Sequence, residues 1–152
     1  MMSSLFLQVD GVAGESRDAT HMGWIDIDSY NWGAWRSGSE AGMGSYRNLV
    51  VKAKIDKATP AMLLLTSSGR KLRKIIVSAC RAGTGQQEYY RITLENVQVF
   101  EAQLNDNDVV ASVEYEFQAN IVKIQYWEQT AAGGKGAETR SGWNIKENTS
   151  AF

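Results

Sequence analysis

The sequence predicts a mainly β protein: a compact antiparallel β-barrel, built from two curved sheets, with one short flanking α-helix. Three observations predict it. Apolar residues recur mostly at every second position, the period of a half-buried strand. Fourteen glycines stand against a single proline, which suits strands joined by turns. In three long segments the apolar positions change parity part-way, as strands do when a bulge turns them into a curled sheet.

The elements follow in chain order. Leu5, Leu7 and Val9 alternate with Phe6 and Gln8 as a first strand. Ile25 and Ile27 then share one parity while Tyr30 and Trp32 take the other, so an extra residue is expected near Ser29. Residues 37–45 are too rich in Gly and Ser for a strand interior and read as a loop. Leu49, Val51, Ala53 and Ile55 alternate with Lys52, Lys54 and Asp56. A single helix follows, with Thr59 as N-cap, Pro60 where its missing N–H does no harm, and Gly69 at the left-handed C-terminal position. Met62 and Leu65 form its core stripe. Arg70, Lys71, Arg73 and Lys74 make a solvated turn. Ile75, Val77 and Ala79 face one way and Ile76 and Cys80 the other, so this strand is covered on both sides and Cys80 is packing. Tyr90, Ile92 and Leu94 give way to Val97 and Val99, so a second extra residue is expected near Asn96. Asn105 to Asp108 is a turn. Val113, Tyr115 and Phe117 give way to Val122, Ile124 and Tyr126, so a third extra residue is expected near Asn120. Residues 131–136 are a flexible connector before a last apolar patch, Trp143-Asn144-Ile145.

Composition bounds the function. The 152 residues fit one domain, 1–152. Sixteen Lys and Arg against seventeen Asp and Glu leave a net charge of -1, so there is no general basic field for nucleic acid or an anionic membrane. The longest apolar run, residues 61–65, is far short of the roughly 20 residues a membrane helix needs. After Met1 there is no positive region, and Gln8 and Asp10 interrupt the apolar stretch, so no ordinary export signal is expected. Folding in the cytoplasm would keep the lone Cys80 reduced.

Catalytic patterns are sparse. His21 is the only histidine, and no Gly-x-Ser-x-Gly elbow accompanies it. Glu15, Asp18 and His21 stand three apart, but in an expected loop, where carboxylates usually face water; neither a metal nor any other cofactor is expected. Asp106 and Asp108 lack the glycine and distal glutamate of a calcium loop. Gly134-Lys135 lacks the leading glycine and following Ser or Thr of a phosphate loop. By elimination the residues describe a non-enzymatic β-module working through its surfaces, with assembly ahead of small-ligand binding. In the ligand-binding alternative Trp24, Trp32 and Trp35 would form a stacking platform for a small molecule or carbohydrate.

The stretch from Gly11 through Gly14-Glu15-Ser16, Asp18, His21 and Trp24 to Ile25 closely resembles the opening signature of the Hcp family, the haemolysin-coregulated proteins of type VI secretion systems. The likeness continues through Asp56-Lys57-Ala58-Thr59-Pro60, through Tyr89 to Val97, and to Gly142-Trp143-Asn144-Ile145, covering essentially the whole chain. The resemblance implies a β-barrel with one helix, six copies of which close into a homohexameric ring. Rings stack into an inner tube inside a contractile sheath, capped by a spike, and are fired from the cytoplasm into a neighbouring cell without a signal peptide. Effectors ride in the lumen or as fused extensions; this chain, ending soon after Trp143, is expected to carry no fused toxin. On this resemblance His21 fixes a loop by hydrogen bonding, and Glu15 and Ser16 stabilise turns. Gly38, Gly42, Met43, Gly44 and Tyr46 occupy the place of the family's extended loop, which reaches a neighbouring ring or subunit.

Overall fold

Alternation writes itself into the backbone as strands. In the computed structural model, which describes residues 4–38, 44–81 and 87–152, the chain forms β1 (Leu5–Val9), β2 (Ile25–Asn31), β3 (Ala34–Arg36), β4 (Gly44–Tyr46), β5 (Leu49–Lys54), α1 (Thr59–Ser68), β6 (Leu72–Arg81), β7 (Gln87–Asp106), β8 (Ala111–Gln129), β9 (Lys135–Asn144) and β10 (Thr149–Ser150). Hydrogen-bonded neighbours run β10-β9-β8-β5-β2-β1-β6-β7, and β7 pairs back onto β8. Six strands therefore close into a barrel, with β9 and β10 appended to β8. The two curved faces expected from the parity changes are parts of one continuous sheet. β3 and β4 form a separate two-stranded sheet.

Of the three extra residues expected, only the one near Ser29 falls at a register shift; none stands at Asn96 or Asn120. Register slips between Ile27 and Ser29 where β2 pairs with β5. At Asn96 the backbone takes φ 51, a left-handed conformation that Asn tolerates better than most residues. Glu95 lies opposite Ile121 and Val97 opposite Ala119, so β7 and β8 change parity together and keep their register. A further slip follows between Val99 and Glu101. Inside the closed sheet, Leu7, Ile25, Leu49, Val51, Ile92, Leu94, Tyr115 and Phe117 are fully buried with Met62 and Leu65 of α1. Tyr115 carries its hydroxyl into this core, and Thr59 Oγ1 meets it at 2.9 Å.

The helix start differs from the expectation. The N-cap position belongs to Ala58, and Thr59 lies inside the helix. No side chain caps the helix; just ahead of it Asp56 Oδ1 accepts the Ala58 N–H at 2.9 Å, while Thr59 Oγ1 accepts the Asp56 N–H at 3.1 Å. This reciprocal pair has the form of a capping box and fixes the tight turn of residues 56–59 that leads into the helix. Pro60 occupies the first turn as expected. At the other end Gly69 takes φ 67, and its N–H reaches the Leu65 carbonyl at 3.1 Å.

Other departures have physical reasons. Phe6 does not face water; it is buried on the outer face of β1, against His21. Ile55 is partly exposed beyond the end of β5. Asn105 and Asp106 belong to β7, and the turn proper is residues 107–110, where Asn107 Oδ1 accepts the Val109 and Val110 N–H groups. Gly44 and Ser45, expected in a loop, lie in β4 opposite Arg36 and Trp35. Part of the expected connector and the polar stretch after it form the ten-residue strand β9. Its side chains are mostly exposed, so no alternation marks it, and its backbone pairing with β8 holds it. Among the described residues, no helix is long and apolar enough to cross a membrane.

Candidate functional site

Residues 11–24 lie over the outer face of β1 and β6, and glycine makes the approach possible. A Cβ on Gly14 would stand 2.5 Å from the Trp24 carbonyl oxygen and 2.8 Å from Ile25 Cγ1. Gly23 takes φ 80. Backbone bonds then fold the segment on itself: the Gly14 N–H meets the Gly23 carbonyl at 2.7 Å, the Ser16 N–H that of Trp24 at 2.8 Å, and the Gly23 N–H that of Ser16 at 3.0 Å.

His21 drives into the sheet from this loop and is 5% exposed. Its ring stacks on Phe6 with centroids 4.2 Å apart, and Trp24 meets it edge-on at 4.7 Å. Nδ1 lies 2.6 Å from Asp18 Oδ2, and Nε2 lies 2.9 Å from Ser78 Oγ on β6. The Ser78 hydroxyl donates onward to Glu88 Oε2 at 2.7 Å. Glu88 also accepts from Arg91 Nε at 2.8 Å and Lys135 Nζ at 3.2 Å. A chain of polar contacts thus runs from the loop through β6 to β7 and β9.

The electrostatics of this chain are consistent. Burial raises the Asp18 carboxyl, but hydrogen bonds from His21 and Thr20 outweigh it and hold it below its ordinary 3.8. For Glu88, burial is likewise overcome, by Arg91, Ser78 and Lys135, leaving it below 4.5. Burial pushes the Cys80 thiol up, so it stays protonated and packs 4.0 Å from His21 Nε2. The order Asp18–His21–Ser78 copies the contacts of a hydrolytic triad. Ser78, however, has no exposed surface and its proton is committed to Glu88, so the arrangement fastens the loop rather than presenting a nucleophile.

The residues singled out from sequence divide into three places. Asp18 and His21 meet, but Glu15 turns away: its Oε2 accepts the Lys57 N–H at 2.7 Å and ties the loop to the start of the helix. Ser16 is buried, and its Oγ accepts the Asp18 N–H at 3.3 Å. Thr59 and Pro60 follow Lys57, Glu15's partner, at the start of the helix. Trp143, Gly44 and Tyr46 line a third place, a cleft of about 590 Å³ between the β3–β4 hairpin and the β9–β10 end, together with Trp35 and Asn148. Gly38 is exposed beside β3, whereas Gly42 and Met43 lie outside the described residues. The three tryptophans proposed as one platform are separated: Trp24 is edge-on to His21, Trp32 stacks on Tyr46 at 5.6 Å, and Trp35 lines the cleft. No group of three or more His, Cys, Asp or Glu side chains able to hold a metal occurs among the described residues.

Ser78 and Glu88 were not identifiable as site residues from the alternating pattern. The one available signal is Ser78 itself, a hydroxyl inside the otherwise apolar run 75–80 of β6.

Comparison with known proteins agrees with the geometry. The family described as "Type VI secretion system effector, Hcp" matches residues 6–130. The chain is 32% identical to Protein hcp1 of Pseudomonas aeruginosa over 162 aligned residues, which cover 99% of this chain and 100% of that protein. Among solved structures, Hcp1 from Salmonella typhimurium superposes with a TM-score of 0.83 at 25% identity, covering 99% of this chain and 100% of that one. A further type six secretion system protein superposes at 0.88 with 21% identity, covering 97% and 98% of the two chains. This chain belongs to the Hcp family of type VI secretion system effector proteins.

Proposed function

We propose that the chain is a structural subunit of the type VI inner tube. Six copies close into a ring, rings stack, and the tube is expelled into a target cell with effectors carried in or on it. The observation that carries this reading is the end-to-end correspondence with Protein hcp1, which leaves no stretch of that protein unmatched.

The surface supports it. Among the described residues, the 135–141 stretch of β9 pairs in the sheet with β8 alone, while β10 covers only its end at Trp143 and Asn144. Such an edge invites pairing with another chain. Phe100, Leu104, Val109 and Val110 are exposed along the far half of β7 and at its turn into β8. A ring requires two unlike patches that meet head to tail and close by rotation. The flank carrying β9 and the flank carrying the β7–β8 turn differ in this way. In this reading each protomer makes two lateral contacts, ring-to-ring contacts are smaller and releasable, and the hairpin bearing Gly38, Gly44 and Tyr46, with Gly42 and Met43, reaches the neighbouring ring or subunit. Sheath, spike and effector proteins are the remaining partners. No catalytic role is assigned, because the triad-like contacts are sealed.

The cleft lined by Trp35, Tyr46 and Trp143 favours a second reading, a small-ligand or carbohydrate site, since its volume falls within the usual 300–1,000 Å³ of ligand pockets. Negative-stain images of the purified chain decide between them. The tube reading expects annular particles with a central hole; dispersed single barrels that saturate with a defined sugar would replace it with the second.

A further inference from the structure

The contacts of His21 fix its protons. Asp18 Oδ2 can only accept, so Nδ1, at 2.6 Å, carries a hydrogen. Nε2 faces Ser78 Oγ at 2.9 Å. Ser78 has a single proton, and it points to Glu88 Oε2 at 2.7 Å. Arg91 and Lys135 both donate to Glu88, which keeps that carboxylate ionised and unable to return a proton. The only donor left for the 2.9 Å contact is His21 itself. A neutral ring would set a nitrogen lone pair against a serine lone pair in a buried site, which costs the desolvation of both.

We infer that His21 is a buried imidazolium, and that its second proton is the latch that holds residues 11–24 onto the barrel. The surroundings suit a cation from every side. Asp18 and Thr20 face it from the loop, Ser78 and the neutral Cys80 from β6, and Glu88 from β7, with Arg91 and Lys135 behind Glu88. Phe6 of β1 lies parallel beneath it, within cation–π range, and Trp24 closes the last side. The sign follows directly. The latch holds while the second proton is bound and weakens as rising pH removes it, because Nε2 then has nothing to offer Ser78. This inference does not depend on the tube reading.

Because His21 is the only histidine, an untagged chain labelled with ¹⁵N-histidine gives one ring spin system. Long-range ¹H–¹⁵N correlation at neutral pH should show two protonated ring nitrogens and no pyridine-type signal. Titrating upward should produce the pyridine-type nitrogen, and across that step the amide-exchange protection of Gly14, Ser16 and Gly23 should fall at least tenfold relative to the β6 strand. Glu88→Gln provides the second variant: its amide can donate to Ser78 Oγ, releasing the serine proton to Nε2, so the ring should be neutral in an intact fold. A pyridine-type nitrogen in the unaltered chain at neutral pH would overturn the inference. So would protection that ignores the ring's titration, or a ring still doubly protonated in Glu88→Gln.

Discussion

Two segments flank the same strand, β2, and are built on opposite principles. The segment before it, residues 11–24, buries Ser16 and His21 and ties its polar groups to the barrel and to each other: His21 to Asp18 and Ser78, Ser16 to Asp18, and the exposed Glu15 to Lys57. The segment after it, the β3–β4 hairpin, leaves Trp35 half exposed and meets the barrel through stacked aromatics and an open cleft. The contrast teaches where recognisable sequence and working surface part company. The residues that give the chain its signature hold one protomer in shape, whereas those that the tube reading assigns to partners lie in stretches with little pattern of their own.

The largest effect expected is at the signature. Gly14→Val forces a side chain into the Trp24 carbonyl and should cost about 3 kcal/mol or more, read as a lowered midpoint in denaturant unfolding. His21→Leu leaves Asp18 and Ser78 without their shared partner and should cost about 2 kcal/mol in the same measurement. Acid should act on the same cluster. The folded carboxyls of Asp18 and Glu88 lie below their ordinary 3.8 and 4.5, so their stabilisation is complete above those values and drains away as the pH falls below them. Replacing Asp18 with Asn should flatten that acid limb in a series of unfolding curves.

Thr59→Val removes one hydroxyl that serves both Tyr115 and Asp56, and should cost about 1 kcal/mol. At the hairpin the comparison inverts. Trp35→Ser should change protomer stability by no more than about 0.5 kcal/mol, because the ring is half exposed, yet reduce assembly seen by sedimentation. A large stability loss there with assembly intact would erase the distinction between the two segments.

Much of the barrel was legible because burial on one face writes alternation into the chain. Leu49, Val51 and Ala53 against Lys52 and Lys54 show this, as does the parity change at Ser29 that became a bulge. What stayed hidden lacks that link. β9 is held by backbone bonds with its side chains in water, so nothing in its residue types marks it. Thr59 read as a cap because its type suits one, but Tyr115 and Asp56 claim its hydroxyl. The site was legible only in part, as Asp18 and His21 stand three apart on one loop while Ser78 and Glu88 arrive from strands 57 or more residues later.

Self-association is the claim on which the tube reading rests, and the mass of the untagged chain in dilute solution, by light scattering or native mass spectrometry, tests it most directly. The account predicts a dominant species of six times the 16.8 kDa chain mass. A monomer or a dimer as the dominant species across accessible concentrations would contradict it.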